Sequence, residues 1–152
     1  RAQLLPLDPS ILRWRPALEE WCVNEVIGHL IETDMDAFWG RCKTMMENDY
    51  PTLGGMDIHG LVASRKDSER SVADLLDVLA EQRVDIYTWV AQLTATDLAR
   101  SGAYARLGEL SVRDLVYEWP YHDANHIKQI QDLIQDQVLP QMGEGMRRAV
   151  QG

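Results

Sequence analysis

The sequence predicts an all-α domain, an antiparallel four-helix bundle with one long middle connection. Three observations predict it. Apolar residues recur at spacings of three and four over several long stretches, no stretch sustains a period of two, and no repeat of 20–50 residues or low-complexity tract occurs. At 152 residues the chain fits a single domain, 1–152, with a lead-in over 1–20 and a tail over 140–152.

The lead-in holds Pro6, Pro9 and Pro16, each of which fixes φ and removes a donor, so it is read as irregular with one short turn near 9–14. Val23, Val26, Ile27, Leu30, Asp34, Ala37, Phe38, Arg41 and Met45 then mark an amphipathic helix over about 22–47. Tyr50-Pro51 and Gly54-Gly55 stop it. Residues 49–67 form the longest irregular connection, with a short helix at 57–65. With Asp67-Ser68 as N-cap, Val72, Leu75, Leu76, Leu79, Arg83, Ile86, Trp89, Val90 and Leu93 mark a second long helix over 69–93. A short helical turn from Thr96 to Gly102 follows, and Gly108 lies in a loop. Ser111 and Asp114 have capping-box spacing and open the last helix, which carries Val112, Leu115, Val116, Trp119, Ile130, Leu133 and Ile134 to about 137. Whether the fourth bundle helix lies before residue 20 or in the middle connection is open.

Fifteen Lys and Arg against 24 Asp and Glu give a net charge of −9, which repels a phosphate backbone or an anionic membrane surface. No nucleic-acid or membrane partner is expected. The chain opens on Arg1 without a basic segment and apolar run of the export type, so the cytoplasm is the expected compartment. The two cysteines, Cys22 and Cys42, share one predicted helix about 30 Å apart, too far to bridge.

The chemistry-bearing residues are the histidines. His122 and His126, in the stretch YHDANH, are spaced i, i+4 on the apolar side of the last helix, so two imidazoles are aimed at the core one above the other. Each must satisfy both ring nitrogens or lose about 1–3 kcal/mol per unpaired group. A shared cation would do so, and so would hydrogen bonds to Glu118, Asp123 or a backbone carbonyl. His29 lies mid-way along the first helix on the flank of its stripe, about 100° from the stripe centre, and a third imidazole there would leave an ion with open coordination positions. His59, in the middle connection, is expected to face solvent.

Around them, Glu25 and Glu118 lie one turn before His29 and His122, as candidate bases or ligand-orienting groups; plain solvated carboxylates are the other reading. Trp119 is placed to wall a pocket beside an ion, and Tyr121 or Tyr104 to supply a hydroxyl. Cys22, two turns from His29, is an outside candidate for ligand or nucleophile. No nucleophile elbow, phosphate-binding glycine loop or dinucleotide fingerprint occurs.

Over about residues 10–138, WCVNEVIGHLIETD, Arg83, and TDLARSGAYARLGELSVRDLVYEWPYHDANHIKQI with its HDANHIKQI ending resemble the DinB-like (DinB/YfiT) superfamily. The resemblance implies a four-helix bundle, often a homodimer, with a divalent metal, usually zinc or nickel, on three histidines that match His29, His122 and His126. It also implies a thiol-dependent transferase or isomerase that acts on a small-molecule substrate with a low-molecular-weight thiol such as bacillithiol or mycothiol. The class set against this is a non-enzymatic, stress-related or ligand-binding dimeric bundle whose histidines are structural. Two departures from the family pattern stand out. Cys22 replaces the usual Ser or Thr cap of the first helix, which weakens that cap. Pro120 inside the last helix leaves the Val116 carbonyl without its helical partner, so a kink or π-type bulge is expected at 116–121.

Overall fold

A computed structural model describes residues 1–55 and 57–151, without the side chains of residues 58, 59 and 63. The elements in order are α1 (Pro9–Arg13), α2 (Val23–Glu32), a π-helical segment (Thr33–Gly40), α3 (Arg41–Glu47), β1 (Thr52–Leu53), α4 (Ile58–Arg65), α5 (Val72–Val90), α6 (Ala95–Leu98), β2 (Ser101–Tyr104), β3 (Gly108–Ser111), α7 (Val112–Val138) and α8 (Glu144–Gln151). Short 3-10 turns precede α5 and follow α7. No described helix is long and apolar enough to cross a membrane.

Three long rods carry the core: α2 with its π segment and α3, α5, and α7. One apolar cluster joins Val23, Val26, Ile27 and Ile31 of α2 to Leu75 of α5 and to Ile130 and Leu133 of α7. A second joins Phe38, Cys42 and Met45 to Ile86, and to Leu115 and Trp119. Rising residue numbers on α2 therefore pair with rising numbers on α5 and falling numbers on α7. The first and second rods run parallel, which is why a long connection must carry the chain back between them, and the third runs antiparallel to both. Between the two clusters each rod contributes polar residues instead: His29 and Asp34, Gln82 and Arg83, and His122, Asp123 and His126. The bundle thus has a polar waist at mid-height, enclosed by apolar ends.

The mostly helical chain also carries a three-stranded sheet of order β1-β2-β3, which corrects the all-α expectation. β1 pairs parallel to β2 and β2 antiparallel to β3. The strands have two, four and four residues, too short for a period of two to register, and SGAY does not alternate polar with apolar. Pairing is fixed by contacts distant in sequence. Ala103 N–H donates to the Pro51 carbonyl at 2.8 Å, and a Cβ at Gly102 would stand 2.6 Å from that same oxygen, so only glycine lets the two backbones approach. Gly108, at φ +85°, turns the chain from β2 into β3.

Several boundaries differ from expectation. Asp67 does not cap α5; it is fully buried and bound by Arg65 Nε at 2.9 Å and Arg70 Nη1 at 3.2 Å, while the Ser71 side chain caps α5 by accepting from the Ala73 N–H at 3.2 Å. α7 opens as expected, with a reciprocal Ser111–Asp114 capping box. It stays α-helical through Pro120, which is exposed and needs no room in the core. The π-type irregularity lies instead on the first rod at Thr33–Gly40, where the Thr33 hydroxyl donates to the His29 carbonyl at 2.8 Å. The expected tail contains α8.

Asp67 also fixes α2 to the connection that follows it. A Cβ at Gly28 would stand 2.0 Å from Asp67 Oδ2, and two arginines prevent that carboxylate from moving aside. Gly28→Ala is therefore expected to destabilise the fold by about 1–3 kcal/mol, in spite of alanine's better helix propensity. Urea denaturation of the two proteins checks this, and an unchanged or raised midpoint would refute it.

Candidate metal centre

His29 is set in the site by α2, whose start is secured without a conventional cap. Glu25 reaches back so that Oε2 accepts the Cys22 backbone N–H at 2.9 Å, and Oε1 accepts from Arg15. His122 and His126 stand one turn apart on α7. The three imidazoles meet at the waist: His122 Nε2 lies 3.2 Å from His29 Nε2 and 3.2 Å from His126 Nε2. One nitrogen from each ring lies within 4.8 Å of the other two.

Three nitrogens facing one another cannot all be satisfied by mutual hydrogen bonds, because each contact needs one donor and one acceptor. Nitrogens bound tetrahedrally to one zinc ion, each at about 2.05 Å, stand about 3.3 Å apart, so two of the three separations already fit. The donor chemistry fits as well, since neutral imidazoles suit zinc, nickel and copper. His126 Nδ1 donates to Gln129 Oε1 at 2.8 Å, which leaves Nε2 as the ring's lone pair, turned inward. His122 Nδ1 is buried with no hydrogen-bond partner among the described residues. Burial, reinforced by the neighbouring His126, holds His122 below its ordinary pKa, toward the neutral form that a ligand needs.

The surroundings are aromatic and ionic. Trp21 packs on His29 with ring centroids 4.8 Å apart, and Phe38 meets His122 edge-on at 5.3 Å. Beside them Asp34, with no exposed surface, accepts from Arg83 Nε at 2.6 Å, Arg83 Nη2 at 3.1 Å, Gln82 Nε2 at 3.2 Å and Trp119 Nε1 at 2.6 Å. Arg83 also donates to both oxygens of Asp123, at 2.8 and 2.7 Å. Burial alone would lower the guanidinium's pKa, but its bonds to Asp34 and Asp123 hold it above the ordinary value.

The family model of the DinB superfamily matches residues 1–130. The chain belongs to the DinB superfamily. Among solved structures it is similar to YfiT from Bacillus subtilis, "a probable metal-dependent hydrolase with an unusual four-helix bundle topology", with a TM-score of 0.79 and 17% identity over 90% of this chain and 78% of that one. At that identity the likeness speaks for the fold. No curated protein matches this DinB-superfamily chain.

Of the residues singled out by sequence, His29, His122 and His126 come together, and the others lie elsewhere. Glu25 is buried and occupied at the start of α2, with both oxygens engaged. Glu118 and Tyr121 lie on the exposed side of α7. Trp119 is buried, stacked on Phe38 at 5.0 Å, and tied to Asp34; it braces the site from behind. Tyr104 stands under the Arg41 guanidinium, in the sheet. Cys22 is fully buried, and burial pushes its thiol up to about 11. The His59 side chain lies outside the described residues. Sequence reasoning missed the partnership of Asp34 with Arg83. Its signal was an acid on one apolar stripe and an arginine on another.

Proposed function

We propose that this DinB-superfamily chain is a divalent-metal enzyme in which His29, His122 and His126 hold zinc or nickel and a small nucleophile is activated. The observation that carries the reading is the convergence of three Nε2 atoms, two pairs of them 3.2 Å apart. A bound ion of this kind supplies Lewis-acid chemistry, lowering the pKa of a water or thiol enough to make it nucleophilic at neutral pH. The chain's own residues hold and orient. Gln129 fixes the His126 tautomer, α2 and α7 present the remaining rings, and Trp21 and Phe38 shield those rings from water.

The transferred thiol is a low-molecular-weight one in this reading. Cys22 and Cys42 are both buried, with thiols pushed up to about 11 and about 12, so neither is a nucleophile at neutral pH. Hydrolysis is the second reading, favoured by the likeness to YfiT, and would use the same ion with water in place of thiol. The substrate is a small molecule in either case, and the homodimer implied by the family resemblance is part of the proposal.

Two measurements test it. Metal content after purification without added metal reads the site directly. Rates of thiol transfer and of ester hydrolysis, compared between the native chain and His126→Ala, read the chemistry. Bound zinc or nickel is expected in the native chain, with a measurable rate for one of the two reactions that is abolished in the variant. A metal-free native protein, or equal rates in the two proteins, overturns the proposal and leaves a bundle with structural histidines.

A further inference from the structure

We propose that Asp34, Arg83 and Asp123 form a positioning clamp that sets the affinity and geometry of the three-histidine centre without touching the ion. The inference rests on the metal-binding reading above. Arg83, from α5, uses Nε, Nη1 and Nη2 to hold Asp34 of the first rod and Asp123 of α7 at 2.6–3.1 Å. One planar guanidinium thereby ties together the two rods that supply the ligands. Asp123 is the residue next to His122, and Asp34 follows His29 by five. A shift of α7 against the first rod would open the 3.2 Å contact between His29 and His122, and the same shift would break a bidentate ion pair.

Two further observations distinguish the clamp from ordinary packing. All three converging ligands are imidazoles, which bind a metal without bringing negative charge, so a dication held there would have no anionic partner among them. Two carboxylates and one guanidinium leave the clamp with a formal net charge of −1 beside the site, and Asp123 carries part of it on the residue next to His122. The clamp also buries a carboxylate with no exposed surface, an arrangement that apolar residues of equal volume often match in stability. Its distinguishing contribution is to register and charge. Lysine at position 83 could not reproduce it, because a single ammonium cannot engage two carboxylates in forked geometry.

The test is zinc titration of the full chain as native protein, Arg83→Lys, Asp123→Asn and Met45→Ala. Each is measured at a temperature where circular dichroism shows it folded, and cobalt(II) absorption reads ligand geometry. Asp123 is partly exposed, so its amide variant keeps the experiment decisive if Arg83→Lys fails to fold. Met45→Ala truncates the core roughly four helical turns from His29 and serves as the destabilised control. Zinc affinity is expected to fall about 10- to 100-fold in Arg83→Lys and Asp123→Asn, with a changed cobalt spectrum, and to stay native in Met45→Ala. Native affinity and spectrum in both clamp variants would overturn the clamp alone. An equal loss in Met45→Ala would reduce it to general stability, and failure of the native chain to bind zinc or cobalt would overturn the metal reading with it.

Discussion

Asp34→Ala is expected to lower the unfolding free energy by about 3–5 kcal/mol, among the largest effects of any single substitution in this chain. The carboxylate has no exposed surface and accepts four hydrogen bonds, three of them from Arg83 and Trp119. Its removal leaves a guanidinium in the waist with Asp123 as its one remaining counter-charge among the described residues, and takes away the acceptor of a buried indole N–H. Asp34→Asn keeps the shape and part of the bonding, so it should fall between native and alanine. Urea denaturation at neutral pH checks the series. A loss under about 1 kcal/mol for alanine, the range of exposed ion pairs, would show that water solvates this arginine and that the waist is not sealed.

Zinc in about thousand-fold excess over its dissociation constant is expected to stabilise the native chain by about 4 kcal/mol, or roughly 10 °C in Tm, and to leave His122→Ala unmoved. The gain should shrink on acidification, and the stability of the metal-free fold should fall as well, each for its own reason. Protons compete with the ion for the imidazoles. In addition His122 is held below its ordinary value of 6.5, first by burial and then by His126, so the unfolded chain takes up its proton more readily than the folded one. That contribution is complete above the unfolded value and is lost as pH falls from there through the lower folded value. Thermal melts from about pH 8 to about pH 5, with and without zinc, follow both effects. A zinc-induced shift that survives in His122→Ala, or one that does not change with pH, would contradict the three-histidine assignment.

Much of this architecture is legible in the residues. Amphipathic spacing marks the three long rods within a few positions at each end, and Ser111 with Asp114 marks the start of α7 because that signal is local. His122 and His126 are readable together because an i, i+4 pair on an apolar stripe is itself a local pattern. His29 was readable from the flank of its stripe as a candidate third imidazole, but nothing in its own helix says which neighbour it faces, and the family resemblance supplied the match to the other two. The sheet was illegible: its strands are short, and what pairs Thr52 with Ala103 is a backbone approach between segments about fifty residues apart. The π segment was hidden for a related reason, since Thr33–Gly40 keeps the apolar residues an α-helix would show. Pro120 brought no π-type bulge to its own rod, and the lost N–H there says nothing about the π segment that forms on the first rod.

The polar waist also bears on the order of assembly. Its members, at positions 29, 34, 83, 122 and 126, come from remote stretches of the chain, so their contacts have high contact order and cannot reward the chain until long loops have closed. The two apolar ends join the same remote stretches, but burial of apolar surface is non-directional and tolerates loose register, whereas the hydrogen bonds of the waist need the final geometry, so the ends can close first. The ion-binding layer would then be the last part of the molecule to gain protection against hydrogen exchange and the first to lose it. An ion could in that way reach buried ligands through brief opening of the middle while both ends stay closed.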